Sequence, residues 1–209
     1  MKMPFTTEQF FSVFENYNAS VFPVQLVFLF FGILAVYSTL SEKSGRNKVI
    51  GGLLVLIWIW IGIAYHIIFF ASINPAAYVF GGFFILQGLF FYIETSVRKN
   101  LVFKYAGSVK GYLALFFILF GLIIYPVISF YLGGSVLKTI SFGLPCPSTI
   151  VTFGFLMLTD RKFPGYLLVI PSLWAIIGTA AAVNFGVYQD YVMIFAAIVA
   201  NSYIISGRK

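Results

Sequence analysis

Seven runs of apolar residues, separated only by short polar links, constrain this chain more than any motif in it. About 20 consecutive apolar residues cross a hydrocarbon core roughly 30 Å thick. Runs of that kind lie near Ser20 to Leu40, Lys48 to Ser72, Pro75 to Thr95, Gly107 to Leu132, Cys146 to Thr159, Pro164 to Asn184 and Tyr188 to Ser206. Hydrocarbon offers no partner to a backbone amide or carbonyl, so such runs must be helical. Composition agrees, since charged residues make up 9% of the chain and the mean hydropathy is +0.99, outside the range of soluble globular domains. The expected fold is an all-α membrane protein, a seven-transmembrane-helix bundle. Residues 20–209 form its single domain, because no link is long enough to bury a core of its own.

Residues 1–19 precede the bundle. Thr6 and Gln9 have the spacing of a capping box, and Phe10, Phe11, Val13, Phe14 and Tyr17 follow at mixed helical spacing. A short amphipathic N-terminal helix on the outer leaflet is expected, acting as an interfacial anchor or as a lid over an outward cavity. No basic run precedes an apolar core there, so no cleavable signal peptide is expected.

The basic residues assign a direction, because Lys and Arg in short loops resist translocation. Lys43, Arg46, Lys48, Arg98, Lys99, Lys104, Lys110, Arg161, Lys162, Arg208 and Lys209 fall in alternate loops on one side, and only Lys2 and Lys138 on the other. The expected topology has the N-terminus outside and the C-terminus inside. The formal net charge of +7 then belongs to a cytoplasmic face beside anionic lipid, and no nucleic-acid partner is needed to explain it. Homo-oligomerisation is compatible with this composition.

The fifth run is unusual. From Cys146 to Thr159 there are 14 residues, which as a helix reach roughly 21 Å at about 1.5 Å per residue. That is too short to cross alone. Pro147 suits a first helical turn, while Pro145 pushes Leu144 out of helical geometry. A half-length helix broken at Pro145–Pro147 is therefore expected, with residues 133–144 dipping in from the outside. Its first amides, near Ser148, Thr149 and Ile150, would face an anion or a polar neutral group. The alternative is that Ser148 and Thr149 cap and back-bond their own helix while the prolines set a packing kink.

Other polar residues favour the outer half. Gln25, His66, Tyr125 and Asn184 lie toward that side, and Gln87 sits near mid-membrane. Polar groups at such depth face the bundle interior or a wet cavity, which predicts a polar vestibule open to the outside. The candidate ligand-binding set is His66, Cys146, Ser148, Thr149, Gln25, Gln87, Tyr125 and Asn184. His66 could equally be satisfied by a carbonyl or hydroxyl on another helix. Asn74 before Pro75 reads as the N-cap of the third helix. Trp58, Trp60 and Trp174 read as packing residues.

Absences narrow the chemistry. The seventh run has no lysine for a retinal Schiff base. One histidine, with all six acids near helix ends or in loops, does not make a zinc hydrolase or a pump built on deep carboxylates. A lone cysteine forms no internal disulfide. Cys146 and His66 alone offer too few ligands for a metal, so neither a metal nor a cofactor is expected and no catalytic residue is assigned.

The segment Tyr65-His66-Ile67-Ile68-Phe69-Phe70, with Ile73-Asn74-Pro75-Ala76-Ala77, Pro145-Cys146-Pro147-Ser148-Thr149-Ile150 and Thr152-Phe153-Gly154, resembles a family of small bacterial membrane proteins known only as a domain of unknown function. The resemblance covers nearly the whole chain, and Ser148 stands where threonine is expected. It implies a multi-pass protein of the bacterial inner (cytoplasmic) membrane and brings no activity with it. The expectation carried forward is an outward vestibule that transports, conducts or senses a small polar or anionic solute. The alternatives are a membrane-embedded enzyme with Cys146 as nucleophile and His66 as base, and an assembly partner of other membrane proteins.

Overall fold

The computed structural model describes residues 4–41, 45–160 and 163–206, and these contain helices and no strands. We number the principal helices α1 (Thr7–Val21), α2 (Val24–Leu40), α3 (Arg46–Ser72), α4 (Ala77–Val97), α5 (Val109–Gly133), α6 (Pro145–Met157), α7 (Gly165–Phe185) and α8 (Tyr191–Ser206). Four of them, α3, α4, α5 and α7, are long and apolar enough to cross a membrane. The bent pair α1 and α2, turned by 84° at Phe22 and Pro23, raises that to five if counted as one span. The shorter α6 is also apolar. Each of the seven expected runs coincides with a helix.

The first helix begins where the capping box places it. Gln9 N–H donates to Thr6 Oγ1 at 3.2 Å and Thr6 N–H to Gln9 Oε1 at 2.8 Å. It continues to Val21, past the expected boundary at residue 19. Phe10, Val13, Phe14 and Tyr17, spaced at three and four residues, turn one face into the common core, while Glu8 stays exposed. This helix is therefore part of the packed body as well as its rim.

The short α6 lies at the centre. Every residue from Pro147 to Met157 is buried, as a helix without a polar face must be. Two glycines let the neighbouring helix come close: a Cβ on Gly121 would stand 2.6 Å from Pro147 O, and one on Gly154 2.7 Å from Ala114 O. α3 and α4 meet in the same way through Gly62 and Gly81, where a Cβ on either would lie 2.8 Å from the other's carbonyl oxygen. Ala196 and Ala200 are fully buried on α8, as their small-xxx-small spacing predicts. A Cβ on Gly111 would first meet Ala106 O, in the link that precedes α5. Asn74 accepts from Ala76 N–H at 3.2 Å, but the N-cap position of α4 falls on Ala76 and not on Asn74.

The basic segments converge at one end. Asn47 Oδ1 accepts from Phe103 N–H, Lys104 N–H donates to Leu158 O and Lys110 Nζ to Thr159 O. These contacts gather the start of α3, the 98–108 link, the start of α5 and the end of α6, and with them Arg46, Lys48, Arg98, Lys99, Lys104 and Lys110. Lys138 sits at the opposite end with α1. Lys2, Lys43, Arg161, Lys162, Arg208 and Lys209 lie outside the described residues.

Candidate functional site

The chain from Gly134 to Leu144 runs back into the protein without forming a helix, and side chains supply the partners its backbone lacks. Asn18 Nδ2 donates to Leu137 O at 2.6 Å and to Thr139 O at 2.9 Å, and Ile140 N–H donates to Ser129 Oγ at 2.8 Å. At Gly143 the backbone takes a φ of +110°, and a Cβ there would stand 2.8 Å from Phe28. Its N–H donates to Ser148 Oγ at 3.0 Å. Its carbonyl would take the N–H of residue 147 in a continuing helix, but Pro147 has none. Tyr17 O–H, from α1, donates to it instead at 3.1 Å, and Trp60 Nε1–H donates in turn to the Tyr17 oxygen at 2.7 Å.

This geometry changes the expected role of Ser148 and Thr149. Ser148 holds Gly143, and Thr149 Oγ1 donates to Pro145 O at 2.8 Å within its own helix. Ser148 N–H is spent on Leu144 O at 3.3 Å, and two of the first three helical residues are prolines. An anion would find few free amides at this helix start, since a helix N-terminus binds anions through those donors. Both hydroxyls are taken up by the chain itself.

Two of the expected residues do come together, around a third that the sequence reading left aside. Tyr125 O–H donates to Asp190 Oδ1, and Cys146 lines the same cavity as that carboxylate. Tyr125 is fully buried, and Asp190 is 4% exposed. Tyr125 follows a wide π-turn, Phe120–Ile124, where the helix accommodates Pro126. Asp190 ends the short 3₁₀ turn Tyr188–Asp190 that leads into α8.

Asp190 and Cys146 line a cavity of about 140 Å³ beneath α1. Its walls are aromatic: Phe10 and Phe14 from α1, Tyr65 and Phe70 from α3, Phe80 from α4 and Trp174 from α7. Trp174 Nε1 is buried without a hydrogen-bond partner. Above the cavity lies an open groove of about 770 Å³, lined among others by Glu8, Ser12, Glu15, Ser129, Lys138 and Gln189. Ile140 and Val187 line both spaces and so form the partition between them.

The other expected residues sit elsewhere. His66 is fully buried behind the aromatic wall, its ring 4.6 Å from that of Phe84 and 5.0 Å from that of Trp174, and neither of its nitrogens has a hydrogen-bond partner. It makes no bond to Cys146, so the expected thiol–imidazole pair is absent from this arrangement. Gln25 donates to Asn18 O at 3.1 Å and thereby orients the residue that holds Leu137 and Thr139. It borders a different hollow, of about 280 Å³, between α2 and α5. Gln87 donates to Leu167 O at 3.1 Å, tying α4 to α7, and Asn184 is exposed and back-bonds Ala180 O at 2.6 Å. None of His66, Gln25, Gln87 and Asn184 lines the open groove.

Asp190, Tyr65 and Trp174 stand outside the expected ligand-binding set. The available signal was an acid opening the last apolar run, in a chain with only six acids. A helix-end carboxylate is ordinarily solvated, but Asp190 is 4% exposed.

These features define an all-α protein with several helices apolar enough to cross a membrane, carrying a small aromatic cavity with one buried carboxylate. The chain belongs to a family of unknown function, DUF6064, whose model matches residues 7–208. No match was found among curated proteins or solved structures.

Proposed function

We infer that this is a multi-pass integral membrane protein that binds a small solute in the cavity beneath α1, as a transporter or a receptor. Seven crossings, counting α2 to α8, are the reading that best accommodates the apolar runs. The clustering of described basic residues at one end favours a cytoplasmic face there, with the N-terminus outside and the groove facing outward. A bacterial inner membrane remains the proposed location. The observation that carries the solute reading is Asp190, a carboxylate buried in an aromatic cavity that only Ile140 and Val187 are seen to part from the surface groove. Concave, largely apolar pockets with a few convergent polar groups are where small ligands bind. The enzyme reading loses support because Cys146 has no base beside it other than a carboxylate. The anionic-solute reading loses support because the cavity wall itself carries a carboxylate.

Cys146 reports on occupancy, since it is the only cysteine and lines the cavity. In purified full-length protein, a bound solute slows alkylation of Cys146 by a small thiol reagent and raises the melting temperature. A broad screen of amines, acids, sugars and alcohols in which neither readout moves for any compound would refute the reading.

A further inference from the structure

We propose that the solute is a small organic ammonium ion, held by the Asp190 carboxylate at one side and by aromatic faces around it. The proposal deepens the solute-binding reading and rests on it.

Three observations converge. First, Asp190 has no cationic partner: the one ion pair between side chains among the described residues is Arg98 with Glu94, at the other end of the protein. A buried carboxylate facing apolar walls needs a counter-charge or a proton. Tyr125 O–H donates to Asp190 Oδ1, and none of the residues lining the cavity is a lysine or an arginine. Second, the cavity wall is built of rings, including Tyr65 and Trp174. The negative face of an aromatic ring attracts ammonium groups, and several rings together form a recognised cage for alkylated amines. Third, the groove above carries two carboxylates, Glu8 and Glu15, against one amine, Lys138. The groove beside the cavity is net acidic, which concentrates cations next to it.

Size sets the class further. A cavity of about 140 Å³ is close to the roughly 150 Å³ that takes one benzene molecule. The ammonium group and its alkyl substituents must therefore be compact. Anions are excluded by Asp190, and a strongly hydrated sugar would leave most of its hydroxyls facing rings.

Three probes of one shape separate charge from fit: tert-butylammonium, tert-butanol and pivalate. The expected result is that tert-butylammonium protects Cys146 from alkylation and raises the melting temperature of the full-length protein. tert-Butanol should bind at least about tenfold more weakly and pivalate not measurably, as the charge-assisted bond to Asp190 requires. Asp190→Asn should lower the affinity for tert-butylammonium at least about tenfold and leave tert-butanol unchanged. Trp174→Leu should weaken the ammonium about threefold or more, and tert-butanol less. Equal or better binding of tert-butanol or pivalate overturns the proposal, as does an Asp190→Asn protein that keeps its affinity for the ammonium. Should Asp190→Asn fail to fold, the ranking of the three probes on the unaltered protein decides alone. If none of the three binds but another compound protects Cys146, the ammonium class falls and the solute reading stands; if nothing protects it, both fall.

Discussion

Tyr17→Phe removes one oxygen from the protein and leaves its shape intact, so its effect isolates the bond network that ties α1 to the broken segment. Tyr17 is 1% exposed. Its hydroxyl donates to Gly143 O at 3.1 Å and accepts from Trp60 Nε1–H at 2.7 Å. Without it, the Gly143 carbonyl has no partner in α6, because Pro147 occupies the position that would donate. The half-buried Trp60 indole loses its acceptor as well. Each buried polar group left unpaired costs about 1–3 kcal/mol, and loss of the phenol's own dehydration offsets part of this, so the net destabilisation is about 2–4 kcal/mol. For a chain of this size the melting temperature falls by roughly 6–12 °C. Thermal unfolding of the detergent-solubilised protein measures it, and Trp60→Phe completes a double-mutant cycle. With the indole N–H already gone, Tyr17→Phe should cost less, giving a coupling of about 0.5–3 kcal/mol. A Tyr17→Phe protein within about 0.5 kcal/mol of the parent, the range of surface substitutions, would refute the claim that Tyr17 replaces the missing backbone donor.

Close packing of α5 on α6 predicts that Gly154→Ala destabilises by about 1–3 kcal/mol, since the new Cβ would stand 2.7 Å from the rigid Ala114 carbonyl oxygen and 2.6 Å from Ile118 Cγ1. Gly52→Ala on α3 is its control: a Cβ there meets nothing within 4 Å, so the substitution should be neutral or stabilise by up to about 1 kcal/mol. Thermal melts of the two variants should move in opposite directions or differ clearly in size. At the basic end, Glu94 is fully buried and accepts from Arg98 at 2.9 Å, from Asn100 at 2.7 Å and from Tyr166. Glu94→Gln turns an amide donor against those donors and should cost about 2–3 kcal/mol. Arg98→Gln should cost less than about 1 kcal/mol, because the Arg98 side chain is 57% exposed. The reverse order of melting temperatures would show that the ion pair, and not the buried acceptor, matters.

The sequence by itself determined what local chemistry can determine. Runs of apolar residues decide that the chain is helical, because a backbone among apolar groups must bond to itself. Thr6 and Gln9 decide where α1 starts, and Pro145 and Pro147 decide that α6 is short and begins abruptly, because proline lacks the N–H and restricts the residue before it. Those signals act over one helical turn and were legible without any contact map. The cavity was not. Its carboxylate, thiol, phenol and rings come from α1, α3, α4, α5, α6 and α7 and from the turn before α8, and their meeting depends on how closely the helices approach and how α1 folds over them. Asp190 read as a solvated helix-end acid is an ordinary residue; bonded to Tyr125 and lining a cavity with Phe10 and Phe14, it becomes the one carboxyl group of an aromatic box. His66, the only histidine, went the other way. Its depth was readable from its place in an apolar run, but only the packing of Phe80, Phe84 and Trp174 around it removed it from the cavity, because burial depends on which helix lies alongside and no single helix carries that information.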